Sequence, residues 1–277
     1  MTLQQKIEHF YELPVDKIPR QEAIHSIEEL KLLLNRGEVR SADKSTGVWK
    51  VNMWVKKGIL LAFRLGELCE YSNDDPFQFF DKDTMGVRRF SISHGVRIVP
   101  GGTVVRDGAY VAPGVVMMPP SYINIGAFVD ENTMIDSHAL IGSCAQVGKR
   151  VHCSAAAQIG GILEPVGSLP VIIEDDVFIG GNAGIYEGTV VMKRAVIGAG
   201  VILTRSTPVY DLIREKVYRS ENNLPLTIPE NAVVVAGGRT LSGSFAQKHS
   251  LSIYTPVIIK YRDEKTDISV VLEESLR

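Results

Sequence analysis

The amino-acid sequence predicts a mainly β protein with a parallel β-helix at its centre, a helical N-terminal domain and a small C-terminal cap. The first observation behind this prediction is an aliphatic residue at every sixth position, as at Ile123, Val129 and Ile135. The second is that the position four residues later never carries a charge or an aromatic ring. A helix repeats every 3.6 residues and a strand every two, so neither explains a period of six.

The period divides the central sequence into hexads. Eleven hexads open at every sixth residue from Val99 to Ile159, and six more open from Ile173 to Leu203 after a break at Pro165–Ile172. In a parallel β-helix each hexad supplies a strand and a turn, three hexads complete a triangular coil, and each coil pairs with its neighbours. The first and fifth residues of a hexad then point inward. Residues that tolerate turn conformations occupy many fourth places, namely Gly108, Gly114, Gly126, Asn132, Asn182, Gly188 and Gly200.

The flanking sequences predict two further regions. Residues 1–90 are expected to form a mainly helical domain, in which Ile24, Ile27, Leu30 and Leu34 recur at helical spacing. The β-helix is expected over residues 97–208. Residues 209–277 then hold a polar excursion, one more rung in the segment NAVVVAGGR, and a strand in the segment LSIYTPVIIKYR. Because a solenoid needs its open ends covered, both flanks are expected to act as caps.

Composition excludes several classes of function. The net charge is −2 and the isoelectric point is near 6.3, so no large basic face for nucleic acid is expected. No apolar run reaches membrane length, and the N-terminus lacks a signal-peptide core. Three cysteines without a C-x-x-C pair fit a reducing compartment and give no zinc motif. The sequence therefore predicts a cytoplasmic protein without a metal site.

One long stretch resembles a known enzyme family. Residues 120–152 read PSYINIGAFVDENTMIDSHALIGSCAQVGKRVH, and the segments IGGILEP, IIEDDVFIGG, YEGTVV and STPVYD follow. These motifs are similar to those of the tetrahydrodipicolinate N-succinyltransferases, over about residues 97–210. The resemblance implies a left-handed β-helix, a homotrimer with sites between subunits, and transfer of succinyl from succinyl-CoA to the amine of 2-amino-6-oxopimelate in the diaminopimelate branch of lysine biosynthesis. Succinyl-CoA would be a co-substrate, with no tightly bound cofactor.

The reaction requires particular groups. A base must take the proton of the ammonium, N–H donors must stabilise the oxyanion, and an arginine suits a substrate carboxylate. By resemblance, Asp136 contacts the amine and Arg97 binds a carboxylate, with Arg106 as a second arginine. Glu187 is a further catalytic candidate. Many family members carry a glutamate where this sequence has Gly184, so either Asp136 or Glu187 would serve as the base.

The CoA site is expected on glycine-rich turns with nearby cations. The candidates are Gly180, Gly181, Lys193, Gly198, Ala199 and Arg205. The glycine pairs do not form a G-x-G-x-x-G or P-loop pattern, so the site would be a pantetheine groove.

Three alternatives remain open at this level. An acetyltransferase on the same scaffold would need only one or two different groups near the acyl end. A non-catalytic or ice-binding solenoid would show long threonine ladders, whereas the outward residues here vary. A zinc hydratase would need clustered histidines, and His138 and His152 stand fourteen residues apart with no close partner in the sequence.

Overall fold

A computed structural model describes residues 1–71, 78–221 and 224–263. Among the described residues, the N-terminal domain contains three α-helices and two short antiparallel strand pairs. In chain order these are α1 (Leu3–Glu12), α2 (Arg20–Asn35), β1 (Ala42–Asp43), β2 (Lys50–Val51), α3 (Met53–Leu65), β3 (Leu68–Glu70) and β4 (Phe80–Lys82). A capping box of Thr2 and Gln5 begins α1. The helices pack on one another through buried aliphatic side chains that include Ile7, Ile27 and Ile59.

Two-residue strands make up the central prism, and each forms one side of a triangular coil. The first face contains β5 (Arg97–Ile98), β8 (Val116–Met117), β11 (Met134–Ile135), β14 (His152–Cys153), β17 (Phe178–Ile179) and β20 (Val196–Ile197). The second face contains β6 (Val104–Val105), β9 (Tyr122–Ile123), β12 (Leu140–Ile141), β15 (Gln158–Ile159), β18 (Gly184–Ile185) and β21 (Ile202–Leu203). The third face contains β7 (Tyr110–Val111), β10 (Phe128–Val129), β13 (Gln146–Val147), β16 (Ile172–Ile173), β19 (Val190–Val191) and β24 (Thr227–Ile228). All neighbouring strands of these three sets are parallel.

The interior of the prism follows the predicted pattern, with two local corrections. Ile98, and not Val99, aligns with Met117 in the first coil, because one extra residue lies in the turn that contains Gly101 and Gly102. A continued repeat from Ile159 would put Leu163 at a fifth, inward place, but the chain leaves the prism after Ile159. Leu163 packs instead against the N-terminal domain. Val171, which is fully buried, takes the inward place before Ile173.

The fourth residue of a hexad turns the corner of the prism in a left-handed conformation. Every predicted glycine and asparagine at this place has a positive φ, from 57° at Asn182 to 85° at Gly108. His138, Cys144 and Arg150 adopt the same conformation without being glycine or asparagine. The coil geometry therefore imposes the left-handed backbone, because inter-coil hydrogen bonds offset its local cost.

The N-terminal domain covers the third face. The guanidinium of Arg40 lies 3.6 Å from the centroid of the Phe128 ring, and the amide of Gln146 donates to the Ser41 hydroxyl at 2.8 Å. Glu174 is buried and accepts hydrogen bonds from Lys44 Nζ at 2.6 Å and Trp49 Nε1 at 2.9 Å. The domain also reaches the start of the second face, where Asp81 and the Met85 carbonyl contact Arg106.

Glu174 makes the attachment of the N-terminal domain sensitive to pH. Burial alone would raise its pKa, but the hydrogen bonds from Lys44 and Trp49 outweigh burial and hold the pKa below the usual range of a glutamate carboxyl. A carboxylate with a lowered pKa stabilises the fold above its unfolded-state pKa and loses that effect as pH falls through its folded-state pKa. We expect Glu174→Gln to lower the free energy of unfolding by about 2 kcal/mol at pH 7.

Urea unfolding of both proteins at several pH values checks this expectation. The difference should stay constant from neutral pH down to about pH 5 and close below it. Glu131→Gln is the matched control, because the Glu131 carboxylate is exposed and pairs with Lys149 at 2.9 Å. Equal effects of the two substitutions would show that the buried network contributes nothing special.

The C-terminal part completes and caps the prism. It contains the antiparallel pair β22 (Val209–Asp211) and β23 (Lys216–Tyr218), then β25 (Ala232–Thr240), α4 (Ser244–Lys248) and β26 (Ser252–Tyr261). Val233 and Val234 pair with Val196 and Ile197, so NAVVVAGGR is the expected extra rung. The Tyr254 hydroxyl accepts from the N–H of Ile202 at 2.6 Å, at the last strand of the second face. That bond satisfies an edge group that a further strand would otherwise pair.

Candidate active site

A depression of about 660 Å³ on the first face brings together five of the residues predicted from the sequence. They are Arg97, Asp136, Gly180, Gly181 and Ala199. Each belongs to a strand of the first face or to the turn directly after one, so stacking of the coils places them in one column. The sequence separates the first and last of them by about a hundred residues.

Asp136 stands at the second place of its hexad, directly after β11, where side chains point outward. Its Oδ1 accepts from the N–H of Ser137 at 2.7 Å, which fixes the carboxylate beside the turn. Asp130 makes the same contact with Glu131 at 2.8 Å, but on the third face. Both aspartates therefore make the same contact with the turn. Asp136 differs from Asp130 in the face of the prism on which it lies.

Arg97 and two backbone N–H groups are further polar groups of the residues that line the depression. The Arg97 side chain is exposed and makes no hydrogen bond or ion pair within the described residues. The N–H groups of Gly181 and Ala199 likewise have no hydrogen-bond acceptor in the described part of the chain. A cation and N–H donors near one carboxylate can bind an anionic substrate and a developing oxyanion.

The structure adds residues to this site that the sequence did not single out for it. The ring of His152 is buried and stacks on Phe178, with 4.9 Å between centroids. Met118, Met134 and Ser154 also line the depression. The signal available in the sequence was their outward place in the hexads of the first face, but that assignment depends on knowing the face.

Glu187 and Arg205 lie elsewhere on the molecule. They line a second depression, of about 920 Å³, beside the loop that interrupts the hexads. Glu187 Oε2 accepts from the N–H of Arg205 at 2.9 Å. Glu187 has a φ of 54° and Gly188 a φ of 73°, so two successive left-handed residues form this corner. Within one copy of the chain, the structure does not bring Glu187 to the depression that holds Asp136.

The remaining candidates occupy separate positions. Arg106 on the second face donates from Nε to the Tyr122 hydroxyl at 2.7 Å and also contacts Asp81 and the Met85 carbonyl. Lys193 Nζ lies 3.7 Å from an Asp175 oxygen, at the corner between the third and first faces. Gly198 follows β20 directly and adjoins Ala199 in the site.

The structure accounts for Gly184 by the position of Tyr186. A Cβ atom placed on Gly184 would lie 2.5 Å from Cε2 of the Tyr186 ring. Tyr186 directly follows β18 and points outward from the second face. Its ring folds back over Gly184. A larger residue at position 184 would therefore displace this ring.

The cysteines do not supply a nucleophile to the depression. Burial raises the pKa of the Cys144 thiol to about 11, and the nearby Lys56 and Ser41 only partly oppose that shift. Cys153 is an inward residue of the prism core. A thiol that stays protonated and buried is inert. Within the described residues, no helix is long and apolar enough to cross a membrane.

Comparisons with known proteins agree with the fold and the repeat. A family model described as tetrahydrodipicolinate N-succinyltransferase N-terminal matches residues 2–65, and one described as hexapeptide repeat of succinyl-transferase matches residues 170–205. A 2,3,4,5-tetrahydropyridine-2,6-dicarboxylate N-succinyltransferase of Legionella pneumophila (strain Corby) is 40% identical over 282 residues, covering 99% of this chain and 96% of the relative. The enzyme of the same name from Paraburkholderia phymatum is 40% identical over 286 residues, covering 99% and 98%.

A solved structure shares the architecture. A crystal structure of a Campylobacter jejuni protein, named as a 2,3,4,5-tetrahydropyridine-2-carboxylate N-succinyltransferase, superposes with a TM-score of 0.50 at 17% identity. The match covers 89% of this chain and 64% of that one. At this identity the likeness concerns the fold alone. With the hexapeptide-repeat match, it confirms the predicted left-handed parallel β-helix with N-terminal helices.

Proposed function

This chain belongs to the tetrahydrodipicolinate N-succinyltransferase family, and from that premise we propose that it transfers succinyl from succinyl-CoA to the amine of 2-amino-6-oxopimelate, the ring-opened form of tetrahydrodipicolinate. The reaction would serve the diaminopimelate branch of lysine biosynthesis. The observation that carries the proposal is the depression lined by Arg97, Asp136, Gly181 and Ala199.

Asp136 is proposed to take the proton that makes the amine nucleophilic. The amine nitrogen then attacks the thioester carbonyl, and the tetrahedral oxyanion accepts hydrogen bonds from the N–H groups of Gly181 and Ala199. Collapse of this intermediate breaks the C–S bond and forms the amide; the proton that the attacking nitrogen loses goes to the leaving sulfur, so CoA departs as the thiol, and Asp136 returns its proton to solvent. Arg97 would hold a substrate carboxylate through its planar guanidinium.

A homotrimer would complete this site. The first and second faces carry apolar outward residues, including Phe178 on one and Leu140 and Ile202 on the other. The N-terminal domain covers the third face, so three copies can direct the corner between the first and second faces toward a common axis. Each groove would then lie between the first face of one copy and the second face of the next. Glu187 and Arg106 would enter the reaction only across such a groove.

The CoA thioester is proposed to run along the glycine-lined upper part of the first face. Gly180, Gly181 and Ala199 line that part of the face and Gly198 adjoins it, so a pantetheine arm would pass over them. Lys193 at the adjoining corner would be a cation for the CoA phosphates, and Arg205, which lies in the other depression, would reach them only from a neighbouring copy. We place the reaction in the cytoplasm, where acyl-CoA is found; the cysteines form no disulfide among the described residues, which is compatible with a reducing compartment.

A donor comparison tests the proposed function against the acetyl-CoA alternative. Thiol release is measured from succinyl-CoA and from acetyl-CoA, each with and without tetrahydrodipicolinate. We expect acceptor-dependent release from succinyl-CoA at a kcat/KM at least about 10-fold above that for acetyl-CoA, because a terminal carboxylate paired with a cation contributes a charge-assisted hydrogen bond. Preference for acetyl-CoA would favour the alternative. No release from either donor by folded protein would contradict both.

A further inference from the structure

Tyr186 lies in a shallow seat made by two buried glycines on the second face. A Cβ atom on Gly160 would be 2.7 Å from Cδ1 of the ring, and one on Gly184 would be 2.5 Å from Cε2 and 2.8 Å from the hydroxyl oxygen. Real Cβ atoms essentially never approach that closely. The ring therefore lies flat on the sheet, and its hydroxyl occupies the place where a side chain at position 184 would begin.

The Tyr186 ring is held in place, but its hydroxyl has no partner in the described part of the chain. No hydrogen bond of this hydroxyl is present among the described residues. Two nearby tyrosines differ in this respect: the Tyr122 hydroxyl bonds Arg106 at 2.7 Å, and the Tyr254 hydroxyl bonds Ile202 at 2.6 Å. The two glycines position the Tyr186 ring and leave its hydroxyl available to a ligand. A hydroxyl that is already positioned can bind a ligand well, because preorganisation lowers the entropy cost of binding.

Tyr186 stands on the same coil as Gly180, which lines the depression. Strand β17 and Gly180 of the first face lead through one turn to Gly184 and Tyr186 on the second face. Across the groove of the proposed trimer, Tyr186 of one copy would face the depression of the next. We propose that the Tyr186 hydroxyl, seated on Gly160 and Gly184, donates a hydrogen bond to a carboxylate of the amino-acid acceptor. This inference rests on the proposed function and leaves proton abstraction to Asp136.

Tyr186→Phe tests the role of the hydroxyl, because it removes one oxygen and keeps the ring on its seat. Titration calorimetry with 2-aminopimelate should give an affinity about 10-fold weaker than that of the wild type, the effect of one hydrogen bond to a charged group. The KM for succinyl-CoA should stay within about twofold, since that donor does not use the hydroxyl. Tyr11→Phe in α1 is the matched control and should change neither value.

Gly184→Ala provides the second arm. Its Cβ should push the ring off its seat and weaken aminopimelate binding about as much as Tyr186→Phe does. If both act through the hydroxyl, Gly184→Ala should cost little further affinity in the Tyr186→Phe background. Additive losses would contradict the coupling, and unchanged affinity in Tyr186→Phe would overturn the proposal even with normal succinyl transfer. A wild-type protein that binds aminopimelate without transferring succinyl would instead contradict the proposed function.

Discussion

Asp136→Asn is expected to lower kcat for succinyl transfer by about 100-fold to 10,000-fold, the usual contribution of a general base. Asparagine keeps the oxygen that accepts from the Ser137 N–H at 2.7 Å, so the turn should fold as before. What it loses is the negative charge and the capacity to take a proton from the substrate ammonium. Steady-state thiol release with saturating succinyl-CoA measures the effect.

The matched control is Asp130→Asn. Asp130 occupies the same hexad place and accepts from Glu131 in the same way at 2.8 Å, but it lies on the third face. The control should retain full turnover, and thermal unfolding of both variants should match that of the wild type. Wild-type turnover in Asp136→Asn would remove Asp136 from the chemistry and leave Glu187, reached across the groove, as the base to test.

Ile141→Ala is expected to lower the free energy of unfolding by about 3 kcal/mol, within the range found for large-to-small changes in cores. Ile141 is fully buried at a first hexad place, stacked between Ile123 and Ile159 of the adjacent coils. Truncation leaves a cavity that rigid, hydrogen-bonded coils cannot close. Because each coil depends on its neighbours, the loss should affect the whole prism.

Urea unfolding followed by circular dichroism measures this change. Ile213→Ala is the matched control, since the Ile213 side chain is 58% exposed on the C-terminal excursion and should cost under about 0.5 kcal/mol. A loss below about 1 kcal/mol for Ile141→Ala would show that the prism relaxes around the cavity far more than a packed interior should.

Much of the active-site prediction depended on resemblance to a family. The structure places the residues predicted in this way in different depressions. Arg97 and Asp136 meet in one depression, whereas Glu187 bonds the Arg205 backbone in another. The sequence could not make this distinction, because every outward residue of a hexad looks alike until its face is known. His152 illustrates the same limit: its place in the hexad was readable, but its stacking on Phe178 was not. The base assignment and the use of Glu187 remain predictions.

The sequence by itself determined the prism. Inward places recur every six residues, and their burial depends only on that local repeat, so the core could be read without knowing which coils are neighbours. Only the tertiary structure decided which outward residues meet. Coils usually pair residues eighteen apart, as Met134 with His152, but the loop that ends at Val171 makes His152 pair with Phe178. The stacking of coils decides which outward side chains form a column. An insertion in a turn changes which residues stack on one another, but it leaves the six-residue repeat of the inward positions intact.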